Sequence, residues 1–305
     1  MLQPRIMLVV TGDDFGYCPR RNKGIVDCFK AGGISSVSLL VNASAAKDAA
    51  DLAKRHNIPI GLHANLTEGI PVCQSLRQAS TLINEAGFFR GKIGFRQALG
   101  RYQLSMEQVA LELREQIRLF RELTGHLPHH MDGHQHVHIL QEVREVFAQV
   151  LFDHKIPYTR VPVEPGLHSC QWLPTHLQRF YAQVEKDALE AIPVFRRYGI
   201  RWPEVYLGLT TVGQNMSVSN LQWALNHALS RSFCGISSSE TQVITAELMV
   251  HPGYPSHPQK GGCGEGPDDF SQSDDRQHEL SVLTDLSLFA LYRQMRVQLC
   301  AFNDL

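Results

Sequence analysis

The chain has 305 residues, of which 43% are hydrophobic, and its formal net charge is −1 at pH 7. This length allows one large domain or two ordinary ones, with a substantial core. A net charge near zero, without a long run of one sign, argues against a surface that binds nucleic acid or an anionic membrane.

Strand-like and helix-like segments alternate along the chain, which is typical of βα units around a parallel sheet. Helix 105–124 is strongly amphipathic and has Ser105 as its predicted N-cap, whereas helix 174–198 contains Pro193, where an interruption is expected. Segments 69–100 and 252–273 are interpreted as an irregular excursion and a flexible loop. The predicted strands are 6–11, 36–41, 58–66, 127–133, 156–161, 205–210 and 247–250, and the other predicted helices are 20–31, 45–56, 140–154, 219–231 and 275–299.

About seven βα units predict a closed or nearly closed parallel β/α barrel, and a doubly wound open sheet is the alternative. We find no internal repeat and no linker, so residues 1–305 are expected to form a single domain. Polar residues follow the predicted strands, at the rim that carries the active site in such barrels. These residues are Asp13, Asp14, Asn42, His63, His134, Arg160 and His251.

Two adjacent carboxylates, Asp13 and Asp14, follow the first predicted strand in the run VTGDDFGY at 10–17. Two neighbouring charges at a buried strand end are costly to desolvate, and a nearby cation would remove that cost. One carboxylate could then bind a metal ion while the other accepts a proton. The alternative is that one of them caps the following helix through an Asx turn.

Histidines supply the other candidate ligands. His63 ends the third strand, and the run MDGHQHVH at 131–138 places three imidazoles at alternate positions. We choose His134 as a ligand because it lies nearest the strand end, and assign His136 and His138 to supporting the ligands or contacting substrate. Taken alone, His63 is better interpreted as a hydrogen-bonded histidine inside the barrel. One carboxylate and two imidazoles would leave coordination positions for water and a substrate oxygen around zinc or magnesium.

Two further residues could take part in catalysis. His251 ends the last predicted strand before Pro252, and could protonate a leaving amine or be an ordinary loop histidine. Arg160 follows the fifth strand. It could hold a carboxylate, orient Asp13 or form a structural ion pair.

The seven cysteines are odd in number and form no CxxC pair, which argues against a disulfide framework and favours a reducing compartment. The apolar stretch 6–10 is too short for a signal peptide or a membrane span, so we expect a cytoplasmic protein without a membrane partner. A homodimer is kept as a possible assembly. The cysteines are Cys18, Cys28, Cys73, Cys170, Cys234, Cys263 and Cys300.

These segments together resemble the YdjC-type carbohydrate deacetylase family, which includes chitooligosaccharide deacetylases, and lie close to its vertebrate members. The resemblance rests on GDDFG at 12–16, GLH at 61–63, DGHQHVH at 132–138 and ELMVHPG at 247–253. It spans nearly the whole chain in order and spacing.

The resemblance implies an incomplete or distorted β/α barrel that removes N-acetyl groups from amino sugars or their oligosaccharides. By motif match, Asp13 takes the position of the base, and Asp14, His63 and His134 take those of the divalent metal ligands. His251 falls where related polysaccharide deacetylases place an acid. Bacterial relatives usually have Asn-Ala before the paired aspartates, where this chain has Thr-Gly at 11–12.

Two other classes of function are weighed. An amidohydrolase or phosphoesterase could also use a His-x-His pair on a barrel rim. However, amidohydrolases normally carry that pair after the first strand, where this chain has Asp13 and Asp14. A non-catalytic glycan-binding or partner-binding protein could keep such a pocket, but the full set of acid, base and ligands argues against it.

Overall fold

The computed structural model describes residues 5–232 and 243–305, and within these ranges all strand pairs of the main sheet are parallel. The spatial order of the sheet is β4-β3-β2-β1-β6-β5, and β7 pairs with the first half of β1. The strands are β1 (Arg5–Phe15), β2 (Ser36–Leu39), β3 (Ile60–Ala64), β4 (Met131–Gly133), β5 (Val205–Leu207), β6 (Val243–Val250) and β7 (Val297–Leu299).

The gap between β4 and β5 is crossed by an extended segment around Tyr158. This residue forms isolated parallel bridges with His130 on one side and Arg201 on the other. The N–H of Met131 donates to the Tyr158 carbonyl at 3.0 Å, and the N–H of Thr159 donates to the Arg201 carbonyl at 3.0 Å. The fold is therefore an incomplete and distorted β/α barrel, as predicted.

Helices connect the strands and cover the sheet. The predicted N-cap of α4 is confirmed, because the Ser105 hydroxyl accepts a hydrogen bond from the N–H of Gln108. Gly125 ends this helix with φ 86°. The α-helices are α1 (Pro19–Lys30), α2 (Ala46–His56), α3 (Gly91–Gly100), α4 (Met106–Thr124), α5 (Val143–His154), α6 (Thr175–Arg197), α7 (Val218–Ser232), α8 (Asp269–Gln272), α9 (Asp275–Leu283) and α10 (Leu286–Gln294). The 3₁₀ helices are Gln74–Leu76, His134–Ile139, Leu167–Ser169, Gly213–Asn215 and Phe302–Asp304.

Two predicted elements, a strand between β4 and β5 and the C-terminal helix, are wrong. The segment 156–161 is not a strand, because only Tyr158 makes bridges there. The single closing helix predicted at 275–299 is divided into α9, α10 and β7. Asp285 starts α10 by accepting from the N–H of Ser287, and the last residues leave the helix to pair with β1.

Two helices differ from the sequence prediction for reasons of packing. Pro193 removes one helical hydrogen bond, but α6 continues through it because Ala191 and Phe195 are fully buried on either side. Helix α3 lies in the segment predicted to be irregular, where Phe95, Ala98 and Leu99 share a buried face despite the surrounding glycines.

The remaining sequence predictions concern cysteines and membranes. Within the two described ranges, six cysteines carry free thiols, and Cys234 lies outside them. None of the helices in those ranges combines the length and the apolar character that a membrane span requires.

The Gly-rich segment 252–273, predicted to be a flexible loop, packs on the barrel, since the Gly262 N–H donates to the Tyr17 carbonyl at 2.9 Å.

Candidate metal centre

The end of β1 brings both adjacent carboxylates into one cavity. In a regular strand the side chains of Asp13 and Asp14 would point to opposite faces. The pairing of β1 with β2 instead shifts register between Gly12 and Phe15, and Asp14 adopts φ 61°. Aspartate tolerates this left-handed conformation better than most residues. Strand β1 thus extends past the predicted end at residue 11, and its distorted last turn builds the site.

Three predicted metal ligands meet in this cavity. Oδ1 of Asp14 lies 3.2 Å from Nδ1 of His134 and 3.6 Å from Nε2 of His63. The two imidazole nitrogens lie 3.3 Å apart. Bonds of 2.0–2.1 Å to a tetrahedral divalent ion require ligand atoms separated by about 3.3 Å. The three donors are therefore spaced as such an ion requires.

Two carboxylates that are not themselves proposed ligands lie behind the imidazoles of His63 and His134 and orient them. Nδ1 of His63 donates to Oδ1 of Asp132 at 2.6 Å, and Nε2 of His134 lies 3.3 Å from Oε1 of Glu68. Because an ionised carboxylate only accepts, these nitrogens carry the hydrogens and the opposite nitrogens carry lone pairs. Those lone pairs face Asp14, and acceptors that face one another repel unless a cation or a proton lies between them.

The local charges favour a cation at this point. Burial alone would raise the pKa of Asp14, but its hydrogen bond with His134 and the charge of that imidazolium lower it well below the usual value. Burial would lower the pKa of His134, but the carboxylates of Glu68 and Asp14 raise it well above the usual value. A proton on His134 thus neutralises the same charge that a divalent ion would neutralise.

A second group of possible ligands shares His63 with the first and contains Asp13 and Asp132. Its carboxylates already have strong partners, because Arg160 donates to both oxygens of Asp13 and His63 donates to Asp132. This group fits an ion less well than the first.

Arg160 is the fully buried centre of a carboxylate network. Its Nη1 and Nη2 donate to the two oxygens of Asp13 at 2.7 and 2.8 Å. Its Nε and Nη2 also donate to Oε1 of Glu247 at 3.0 and 2.9 Å, and Nη2 lies 3.1 Å from Oδ2 of Asp132. Of the alternatives for Arg160, the structure shows a bidentate contact with Asp13 within a larger ion network.

His251 lies on the wall of the same cavity. The backbone N–H of His251 donates to Oε2 of Glu279 at 2.5 Å, and its ring nitrogen Nδ1 lies 4.0 Å from Oε1 of the same residue. Burial, with the positive charges of Arg276 and Arg21 nearby, lowers the pKa of His251 well below its usual value. Glu279 therefore fixes the backbone of His251, and the imidazole lines the cavity in its neutral form.

The cavity has a volume of about 660 Å³, and apolar and aromatic side chains form part of its lining, which we call the apolar wall. His136 also lines it, whereas Nε2 of His138 is 2.9 Å from the Arg160 carbonyl and supports that arginine's backbone. Asn42 is outside the cavity lining, and its amide donates to the carbonyls of Glu68 and Ile70. The apolar wall consists of Pro174, Leu177, Phe180, Tyr181, Val212 and Phe270.

Four carboxylates that contact the proposed ligands, His251 or Arg160 were not identified as site residues from the sequence. Asp132 stands in the histidine run itself, and its position beside His63 comes from the pairing of β3 with β4. Glu247 follows the alternation of β6, which turns it inward two residues before Met249. Glu68 and Glu279 lie in a loop and on α9, where no local pattern indicated a role.

Comparison with known proteins gives one consistent family. The family model described as YdjC-like protein matches residues 7–294. A carbohydrate deacetylase of Danio rerio is 63% identical over the full length of both chains. A carbohydrate deacetylase of Homo sapiens is 51% identical, across all of this chain and 93% of that one.

More distant relatives agree with these matches. A chitooligosaccharide deacetylase of Serratia marcescens is 37% identical over 147 residues, which cover 47% of this chain and 56% of that one. A crystal structure from Enterococcus faecalis, of a protein provisionally named as a cellobiose-phosphate cleavage protein, superposes with a TM-score of 0.69. It is 21% identical and covers 99% of this chain and 98% of its own, so the likeness concerns the fold.

Proposed function

Because the chain belongs to the YdjC-like protein family, we propose that it is a metal-dependent hydrolase that removes N-acetyl groups from amino sugars or their oligosaccharides and releases acetate. The observation that carries the proposal is the convergence of Asp14, His63 and His134 beside a carboxylate held by an arginine. The deacetylase names of relatives that align over the full chain support the same reaction.

Asp14, His63 and His134 would hold a divalent ion. When bound, the ion supplies a positive charge that polarises the acetyl carbonyl and lowers the pKa of a water molecule. Two neutral imidazoles and one carboxylate suit zinc and similar first-row ions, whereas magnesium prefers an all-oxygen shell in octahedral geometry. We therefore propose zinc as the better-fitting ion, with magnesium as the alternative.

Asp13 is proposed as the general base. A carboxylate has four lone-pair sites, so the two bonds from Arg160 leave one acceptor site on each oxygen. Its Oδ2 lies 3.7 Å from Nε2 of His63, which places the carboxylate beside the proposed ion site. Asp13 can thus take the proton of a water molecule as the oxygen of that water bonds to the acetyl carbon.

His251 is proposed as the acid that completes the reaction. As the C–N bond of the acetamide breaks, the sugar nitrogen needs a proton to leave as an amine. Burial lowers the pKa of His251, so its imidazole starts neutral, and the proton that it gives to the sugar nitrogen is the one that Asp13 has taken from water; Glu279 keeps the residue on the cavity wall. The products are acetate and a free amino sugar.

Substrate binding would use the rest of the cavity. Aromatic rings such as Phe180 and Phe270 offer apolar surface for a sugar face in the same cavity as the carboxylates and imidazoles. The volume of about 660 Å³ accommodates an N-acetylated sugar or a short oligosaccharide.

The test is an assay of acetate release from N-acetylglucosamine and its oligomers, paired with elemental analysis of the purified protein. We expect acetate release that a chelator abolishes and that zinc restores better than magnesium. Phosphoesters and cyclic amides serve as the comparison substrates. Turnover of those compounds alone would favour another metal-dependent hydrolase, and sugar binding without bound metal or turnover would favour a non-catalytic glycan-binding protein.

A further inference from the structure

We propose that Asp132 is a positioning residue that fixes His63 toward the ion and joins it, through Arg160, to Asp13. This inference rests on the ion site of the proposed function. It assigns to Asp132 a role distinct from that of the three ligands and the base.

The position of Asp132 follows from strand register. His63 on β3 and Asp132 on β4 are direct partners across the parallel pair, so their side chains project side by side into the barrel. Oδ1 of Asp132 accepts from Nδ1 of His63 at 2.6 Å and from the hydroxyl of Ser38 at 2.7 Å. The carboxylate therefore contacts side chains of two successive strands, β3 and β2, and cannot turn without losing both bonds.

The second oxygen of Asp132 faces the arginine network. Oδ2 lies 3.1 Å from Nη2 of Arg160 and 3.5 Å from Nε2 of His130. The ring of His130 is held in that place by the absence of a side chain at Gly61, where a Cβ would lie 2.2 Å from the ring. Oδ1 thus accepts two hydrogen bonds, Oδ2 has the charge of Arg160 beside it without a hydrogen bond of good geometry, and Asp132 is fully buried.

This arrangement decides which nitrogen of His63 is free. The Asp132 carboxylate keeps a hydrogen on Nδ1, so the lone pair of Nε2 points at Oδ1 of Asp14, 3.6 Å away. Without the negative charge of Asp132, the imidazole could carry its hydrogen on Nε2 and present it to Asp14. A hydrogen at that position would occupy the space that the ion needs.

The same carboxylate ties the ligand to the base. Nη2 of Arg160 contacts Asp132 and also donates to Oδ1 of Asp13 at 2.8 Å. A displacement of Asp132 would therefore move Arg160 as well as His63. We expect a change at Asp132 to weaken binding of the ion and to disturb the base together, although Asp132 touches neither water nor substrate in the proposed reaction.

The first experiment measures binding of Co²⁺ to the Asp132→Asn protein by titration of the visible d–d absorption. Loss of an outer carboxylate on a ligating histidine typically costs 10–100-fold in affinity, and we expect a weakening in that range. The control is Asp153→Asn, which removes a partly exposed carboxylate whose ion pair with Arg114 lies outside the site. Equal Co²⁺ affinity in wild type and Asp132→Asn would overturn the proposal.

A second variant keeps the proposal testable if Asp132→Asn fails to fold. Ser38→Ala removes one of the two hydrogen bonds to Oδ1 of Asp132 and leaves every charge in place. We expect the Nδ1–H proton resonance of His63 to shift in the metal-free Ser38→Ala protein, because both donors share one oxygen. An unchanged resonance would contradict the positioning role.

These readouts separate this proposal from the proposed function. Wild-type protein that binds Co²⁺ but releases no acetate would contradict the deacetylase proposal and leave the role of Asp132 intact. An active wild-type enzyme whose Asp132→Asn variant binds Co²⁺ as tightly would contradict only the role of Asp132.

Discussion

Arg160 and Asp13 form a bidentate ion pair in which neither side chain is open to solvent. The planar guanidinium matches both carboxylate oxygens, at 2.7 and 2.8 Å, and so fixes the plane of the carboxylate. The pair spans the barrel from the end of β1 to the segment that bridges β4 and β5. This contact gives the proposed base a single orientation before any substrate enters.

The first prediction concerns Asp13→Asn. An amide keeps one acceptor for Arg160 but cannot take a proton from water, so we expect the loss of a general base to lower kcat by about 10²–10⁴-fold. The three proposed ligands are unchanged, so the metal content should stay at the wild-type level. Acetate release and elemental analysis of the same preparation measure both quantities. Normal hydrolysis by the variant would show that the base is assigned to the wrong residue.

The second prediction concerns Arg160→Lys. A lysine ammonium keeps the positive charge but cannot donate to both oxygens of Asp13 in one plane, and it reaches fewer of the network's carboxylates. We expect kcat to fall by about 10²-fold, because small displacements of a catalytic group have effects of that size. The free energy of unfolding should also fall, by about 3 kcal/mol, because buried carboxylates lose partners.

The comparison for Arg160→Lys is Arg114→Lys, which alters a partly exposed ion pair with Asp153. Urea unfolding and steady-state kinetics of both variants separate the effect on stability from the effect on turnover. A variant at Arg160 that loses stability but keeps wild-type kcat at saturating metal would show that the arginine is only structural.

The convergence of Asp14, His63 and His134 could be predicted because parallel strands end at one edge of a barrel. Each of these residues lies near the C-terminal end of a predicted strand, so approximate strand ends were sufficient to bring them together. The contact between His63 and Asp132 could not be predicted in the same way. It depends on the register of β3 against β4, and a shift by one residue would turn Asp132 to the other face.

Local distortions and short elements account for the other differences. The left-handed conformation of Asp14 turns two adjacent carboxylates into one cavity, and no hydrophobic pattern indicates such a bulge. Strand β7 has three residues, too few to show a period of two, so its pairing with β1 was hidden in a helical pattern. The segment around Tyr158 has the composition of a strand but makes only isolated bridges.

The third prediction concerns His63→Ala. Removing one of three ligands should reduce the affinity for the ion so far that little metal remains after purification, and acetate release should be lost with it. A ligand present at 100 times its dissociation constant stabilises the folded state by about 2.7 kcal/mol. We therefore expect added zinc to raise the melting temperature of the wild type but not of the variant.

Comparing the melting temperature with and without zinc cancels the loss of packing that the alanine itself causes. His126→Ala serves as the control, because this exposed histidine lies outside the cavity, where its Nδ1 contacts the carbonyl of Leu127 and its ring packs on His129. The same zinc-induced rise in His63→Ala as in His126→Ala would exclude His63 as a ligand.

The fourth prediction concerns Glu164, a buried carboxyl group away from the proposed ligands. It accepts hydrogen bonds from the N–H groups of Leu209 and Thr210, which lead into the loop that lines the cavity at Val212. Burial outweighs these bonds and raises the pKa of Glu164 to about 7, from an ordinary value of 4.5. The folded protein therefore holds a proton on Glu164 over a range of pH in which the unfolded chain has released it.

The sign of the effect on stability follows from this difference in bound protons. Below pH 4.5 both states are protonated at Glu164, and the group leaves stability unchanged. As the pH rises from 4.5 to about 7, the unfolded state releases its proton first, and the free energy of unfolding falls by about 3 kcal/mol.

Glu164→Gln has no proton to release, so its free energy of unfolding minus that of the wild type should grow by that amount between pH 4 and pH 8. Urea unfolding of both proteins across this range measures the difference directly, and groups that titrate elsewhere cancel. A constant difference would mean that the pKa of Glu164 in the folded protein equals its ordinary value, with the donors around it cancelling the effect of burial.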